Sequence, residues 1–180
     1  MILYTSDIHF SDEKILNVCN RPFGSVGDMD NGIIEKWNKK VSTEDTVYIL
    51  GDVFPCECND PRGIIDLLKK LNGTKMLIIG NHDEKFLNEL RESRVFSDIT
   101  HIATVNDNGR EIVLCHYPLM TWKNDDSSIH FYGHVHNKEL PETEEMMSYY
   151  KRHKKEMAFN VGLDVRGFVP VGLNEILRGN

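Results

Sequence analysis

The sequence predicts a mixed α/β fold, and three observations carry that expectation. Short apolar runs alternate with amphipathic stretches over the first half of the chain, the pattern of parallel strands joined by crossover helices. Beyond residue 98 the apolar runs follow one another with no full helix between them, so a second set of strands is expected there. Several runs end in Asp, Asn or His, which puts polar chemistry at strand ends, where open α/β sheets gather ligands.

Taken in order, Ile2, Leu3, Tyr4 and Thr5 form a short apolar run that reads as the first buried strand, closed by Ser6 and Asp7. Residues 10–27 read as a loop with room for one helical turn, because Asn20-Arg21-Pro22-Phe23-Gly24 is turn chemistry. A helix is expected over 29–41, capped by Asp28 or Asp30, with Ile33, Ile34, Trp37 and Val41 on its buried face. Strands follow over 46–50 and 75–79, separated by a helix over 61–71 that opens on Pro61. Residues 84–91 read as helical. Strands are then expected over 99–105, 111–115 and 129–132, the first pair joined by a hairpin turn at Asn106-Asp107-Asn108-Gly109. A strand over 157–161 and a helix over 172–178 complete the chain, and nothing in it marks a linker, so one domain over 1–180 is expected.

The bulk composition narrows the function classes. With 180 residues, 40% hydrophobic and 27% charged, the chain is long enough to bury a sizeable core. A net charge of -7 disfavours a nucleic-acid coat or a membrane-surface binder, although a nuclease stays open, because bound cations reverse the field locally. Cys19, Cys56, Cys58 and Cys115 form neither a CxxC pair nor a disulfide framework, which suits reduced thiols in a cytoplasm. No apolar run approaches the length of a membrane helix, so no membrane partner is expected.

Chemistry concentrates in five motifs. They are Asp7-Ile8-His9, Gly51-Asp52, Gly80-Asn81-His82-Asp83, His116, and Gly133-His134-Val135-His136. Five of the chain's eight histidines fall in them, each at or just past the end of an expected strand, whereas His101, His130 and His153 read as ordinary core or surface residues. Imidazole with carboxylate and an amide oxygen, and no thiolate, suits divalent manganese, iron, zinc, cobalt or nickel.

In this order the motifs resemble those of the calcineurin-like metallophosphoesterases. Asn20-Arg21-Pro22-Phe23, and Trp37-Asn38 ahead of Asp45-Thr46-Val47-Tyr48, resemble a small, single-domain bacterial and phage branch of that superfamily. The resemblance implies a layered β-sandwich, two mixed sheets packed together with helices outside. It also implies two divalent metal ions, manganese foremost. Asp7, His9 and His136 would hold the first, Asn81, His116 and His134 the second, and Asp52 would bridge them. His82 would face the substrate, and Asp83 would accept from its other ring nitrogen or cap the helix that follows. The implied reaction is hydrolysis of a phosphate ester by direct attack of a water or hydroxide held between the metals. A small site without a cap favours phosphodiesters. The alternatives are a phosphomonoesterase or protein phosphatase, or a metal-binding interaction platform without catalysis. The expected partner is a small phosphate ester or nucleotide, with nucleic acid less favoured as substrate. Oligomeric state cannot be read from the chain.

Four features stay open at this level. Arg21 reads either as a substrate-phosphate contact or as a surface residue of a turn. Asp164 either supports a ligand histidine or shapes a turn. Cys56 and Cys58 line the mouth of the site, with CxC poor spacing for a further metal. The basic run 151–155 is either a solvated helix face or a lip that attracts phosphate.

Overall fold

The computed structural model describes residues 1–138, 141–153 and 157–179. In one sheet β1 (Ile2–Thr5), β2 (Thr46–Ile49), β3 (Thr74–Ile78) and β4 (Asp98–Thr100) run parallel, and β9 (Val171–Gly172) lies antiparallel against β1. The second sheet holds β5 (Ile102–Asp107), β6 (Arg110–Cys115), β7 (Ile129–Tyr132) and β8 (Ala158–Asn160). There β5 pairs antiparallel with β6, and the remaining pairs are parallel. Both sheets are thus mixed.

Side-chain alternation builds the layers. On β1 and β2, Leu3, Val47 and Ile49 face a core shared with the helices α2 (Val26–Lys40) and α3 (Arg62–Lys69), which contribute Met29, Ile33, Trp37, Ile64 and Leu68. Their neighbours Tyr4 and Leu50 point the other way, to meet Ile112, Leu114, Ile129 and Phe131 of the second sheet. The outer face of that sheet carries Val113 and Tyr132, covered by Trp122 and by Tyr150 of α5 (Pro141–Arg152). The order is helices, sheet, sheet, helix, which is the layered sandwich the sequence led us to expect.

Three local expectations are corrected. The strand expected over 99–105 is broken at exposed His101, where the chain leaves β3 and joins β6. Residues that favour strands (Ile99, Thr100, Ile102, Thr104 and Val105) fill both pieces, so the pattern does not reveal the change of sheet. Helix α2 starts at Val26 and is capped by Ser25, whose hydroxyl accepts from the Asp28 amide at 3.1 Å. Asp30 instead accepts from the amide and hydroxyl of Ser11, pinning the loop after β1. That loop contains a true helix, α1 (Glu13–Val18), because Asp12 accepts from the Ile15 amide at 3.0 Å. The remaining helices are α4 (Leu87–Ser93) and α6 (Leu173–Arg178). Among the described residues no helix is long and apolar enough to cross a membrane.

The hairpin turn forms as its residues require, with Asn108 and Gly109 both at positive φ, 51° and 78°. A parallel bridge between Ser6 and Gly162 joins the ends of β1 and β8, so the two sheets meet where their strands end. The Ser6 hydroxyl donates to the Leu50 carbonyl at 2.6 Å, and the Leu163 amide donates to the Ser6 carbonyl at 3.0 Å.

His130 is a satisfied core histidine. Its Nδ1 lies 3.0 Å from the Val113 carbonyl, its Nε2 accepts from the Leu119 amide, and its ring packs between Trp122 and Tyr132. Burial pushes its pKa down to about 4 from 6.5. Because the folded value is the lower one, the unfolded chain takes the proton first. The contribution of neutral His130 is therefore intact above pH 6.5 and is lost as pH falls to about 4. The loss is about 3 kcal/mol over that window. Urea unfolding of the wild type and of His130→Gln across it should show the difference between the two shrinking as pH falls. A constant difference would contradict a neutral, buried His130.

Candidate metal centre

Every motif residue lies just past a strand end: Asp7 and His9 after β1, Asp52 after β2, and Asn81 to Asp83 after β3. From the second sheet, His116 follows β6, and His134 and His136 follow β7. The backbone there is strained. Asp7, His9, Asp52, His134 and His136 all have positive φ, at 57°, 48°, 55°, 70° and 52°. Non-glycine residues adopt that region at a cost on the order of 1–3 kcal/mol each, and such strain gathers at functional sites. Cross-strand bonds hold it: the Asp7 amide donates to the Gly51 carbonyl and the His9 amide to the Asp52 carbonyl, both at 3.0 Å.

Two glycines make the approach possible. Gly51 sits at φ 85°, and a Cβ there would lie 2.6 Å from the Gly80 backbone and 2.7 Å from His116 Nδ1. A Cβ on Gly133 would collide with the Ser6 hydroxyl and the Asp7 carboxylate. With that space free, the His134 amide donates to both Asp7 carboxylate oxygens at 3.0 Å.

Two donor groups result. Asp7, His9 and His136 each bring one ligand atom within 4.8 Å of the others, and so do Asp52, His116 and His134. Asp52 stands between the groups, with Oδ2 3.7 Å from His9 Nε2 and 3.4 Å from His116 Nε2. Asn81 joins the second group, its amide oxygen 3.1 Å from His116 Nε2. His9 tests the fit to a metal most directly: both its ring nitrogens are buried and neither has a hydrogen-bond partner. Leaving such atoms unsatisfied is costly, and a cation shared with Asp7 and His136 would satisfy Nε2.

The outward ring nitrogens are oriented by neighbours, as ligand histidines require. His116 Nδ1 lies 2.7 Å from the Leu50 carbonyl, and His136 Nδ1 lies 2.8 Å from Asp164 Oδ2. Asp12, which the sequence reading passed over, lies 3.6 Å from His9 Nδ1. Its place just before the α1 segment marks it only as a helix cap.

Electrostatics follow from burial and pairing. Burial acts to raise Asp52, but the His116 hydrogen bond and the charges of His116 and His9 hold it at about 2. Burial acts to lower His116 and His136, and carboxylates overcome it: Asp52 and Asp7 take His116 up to about 9, and Asp164 with other contacts takes His136 up to about 10. His82 and His134 are lowered, burial being the main cause.

Two expected roles change. Arg21 does not reach out to substrate. Its side chain is fully buried, donating to Asp164 from Nε (2.8 Å) and Nη2 (3.1 Å) and to the carbonyls of Ile8 and Asp7. It braces Asp164 against His136 and closes the loop after β1. Sequence alone could not separate these roles, because an Arg in a turn is exposed more often than not. Breaking such a buried pair costs about 3–5 kcal/mol. Arg21→Ala is therefore expected to lose that much in urea unfolding. A substrate contact would instead raise KM and leave stability alone.

Asp83 also differs. Its carboxylate accepts from the amides of Asp52 (2.9 Å), Val53 (3.0 Å) and Gly80 (3.0 Å), rather than from the His82 ring or as a side-chain helix cap. It ties the loop after β2 to the loop after β3. Burial, with the charge of Asp52, lifts its pKa to about 6. His82 Nε2 lies 3.9 Å from Asp52 Oδ2.

A sequence model described as calcineurin-like phosphoesterase matches residues 1–160. The chain belongs to that family. An uncharacterised protein of Methanocaldococcus jannaschii is 32% identical to this phosphoesterase over 177 residues, covering 98% of this chain and 89% of that one. The gene 66 protein of Mycobacterium phage L5 is 24% identical over 189 residues, covering 91% and 86%. Among solved structures, a protein of unknown function from Aquifex aeolicus aligns with a TM-score of 0.74 and 25% identity, covering 100% of this chain and 99% of that one. Calcineurin-like phosphoesterases hydrolyse phosphate esters with divalent metals, and the donor groups described above suit such ions.

Proposed function

We propose that this phosphoesterase works with two divalent ions, manganese foremost, and that its preferred substrates are phosphodiesters of small-molecule or nucleotide size. The observation that carries the reading is the pair of donor groups flanking buried Asp52, with the orphaned nitrogens of His9 in one of them. Asp7, His9 and His136 would hold one ion, and Asn81, His116 and His134 the other, with Asp52 shared. When bound, such a pair lowers the pKa of a water between the ions and neutralises charge on the phosphoryl oxygens.

The chain's own groups do the rest. Asp164 and the Leu50 carbonyl fix the rings of His136 and His116. Asp83 fixes the backbone around Asp52. His82, half-buried beside Asp52, is the group set to donate to the leaving oxygen or to the charge that grows on the phosphoryl group. No side chain needs to act as a nucleophile.

The diester preference is supported by accessibility: Asn81 and His134 are exposed, which leaves room for two ester arms. The net charge of -7 argues against nucleic acid as the main substrate. Lys151, Arg152 and His153 are exposed, in keeping with a solvated face, and Lys154 and Lys155 lie outside the described residues. All four cysteines are unpaired, which suits a reducing, cytoplasmic setting.

The test is a rate comparison on manganese-loaded protein between bis-p-nitrophenyl phosphate and p-nitrophenyl phosphate. A higher kcat/KM for the diester is expected. A monoester preference would turn the reading to phosphatase chemistry, and no turnover of either would favour an interaction platform.

A further inference from the structure

A groove leaves the candidate centre on one side. It begins as a cavity of about 360 Å³ lined by His134, His136, Pro118, Val135, Lys138 and Glu142, and so opens directly onto two candidate ligands. Pro118 and Glu142 also line a larger cavity of about 980 Å³, whose wall adds Met120 and, from α5, Met146 and Tyr149. The two spaces adjoin at those shared residues, and each matches the size of small-molecule sites.

Their chemistry is specific. The exposed surface of the walls is mainly apolar, supplied by Pro118, Pro141, Val135, Met120, Met146 and Tyr149, and Met120 is 60% exposed. Three carboxylates (Glu142, Glu144 and Glu145) are matched by three cations (Lys138, Lys151 and Arg152). Such a balance offers no continuous cationic track for a polyanion, while an uncharged planar group finds apolar and aromatic surface.

We infer that this groove seats one ester arm of the substrate, and that the arm is an uncharged aromatic group of nucleoside size. The inference rests on the phosphoesterase reading of the centre and narrows it: the phosphate sits at His134 and His136, and the arm runs over Pro118 to Met120 and Met146. Selectivity then comes from the loop after β6 and from α5, apart from the ligands themselves.

The test measures binding by calorimetry on manganese-loaded protein, with two ligands whose P–C bonds resist hydrolysis. One is methylphosphonate and the other a thymidine 5′-phosphonate. Stacking and burial of the base should make the second bind roughly tenfold or more tightly. Met120→Glu places a charge in the exposed part of the groove without touching the core. It should bring the thymidine compound down to the methylphosphonate level while methylphosphonate itself is unchanged. Met146→Glu, on the facing helix, should do the same.

Equal binding of the two ligands by the wild type, with methylphosphonate clearly bound, would overturn the groove and leave the phosphoesterase reading intact. So would a thymidine preference that survives both variants but disappears in Tyr117→Ala, because Tyr117 packs against His116 and His134 outside the groove lining. If neither ligand binds and no ester is hydrolysed with metal present, the reading of the centre falls and the groove's role falls with it.

Discussion

Asp52→Asn should abolish turnover, with kcat falling on the order of a thousandfold or more. The substitution keeps shape and removes charge. Asp52 is 2% exposed, and its Oδ2 faces His9 at 3.7 Å, His116 at 3.4 Å and His82 at 3.9 Å. No other carboxylate among the described residues is paired with histidines of both donor groups at these distances. On the two-ion reading, a neutral amide there would leave nothing to damp the repulsion between the cations, so metal content should fall along with the rate. Elemental analysis of the purified variant, beside its kinetics, separates the two effects. A variant that keeps two ions per chain and the wild-type rate would remove Asp52 from the bridging position.

His82→Ala should behave differently. Its side chain is 27% exposed and belongs to neither donor group, so the proposed metal content should be unchanged. The expected loss is about 10²–10³ in kcat, the size of a missing proton donor or transition-state hydrogen bond, with little change in KM. The Asp52 carboxylate also accepts from the His82 backbone amide at 3.0 Å, a contact that alanine preserves. The variant therefore tests the imidazole and not the loop. An unchanged kcat would show that His82 has no part in the chemistry, and a loss of metal would assign it to the ligands.

These two residues were legible in the sequence because their setting is local. Asp52 follows an apolar run through a single glycine, and Asn81 and His82 follow another in the same way. Strand, tight turn and polar side chain are all within a few residues, so the pattern carries both the fold and the position at the sheet edge. The same holds for the Asn108–Gly109 hairpin and for the alternation that sends Leu3 to one core and Tyr4 to the other.

What the sequence hid depends on distance along the chain. Arg21 and Asp164 are 143 residues apart and form one buried pair. Neither has a neighbour in sequence that announces it. Asp83 has a plausible partner next door in His82, yet its carboxylate is taken by the amides of Asp52 and Val53, 31 and 30 residues away. The break at His101 is hidden for another reason: β-branched residues lie on both sides of it, and only strand pairing separates β4 from β5.

The most direct test of the two-ion centre is a titration of metal-stripped protein with manganese, following hydrolysis of bis-p-nitrophenyl phosphate and bound metal together. The account predicts no turnover in the stripped protein, and a rate that rises to its plateau as two manganese ions bind per chain. Full activity without metal, or a plateau reached at one ion per chain, would contradict it.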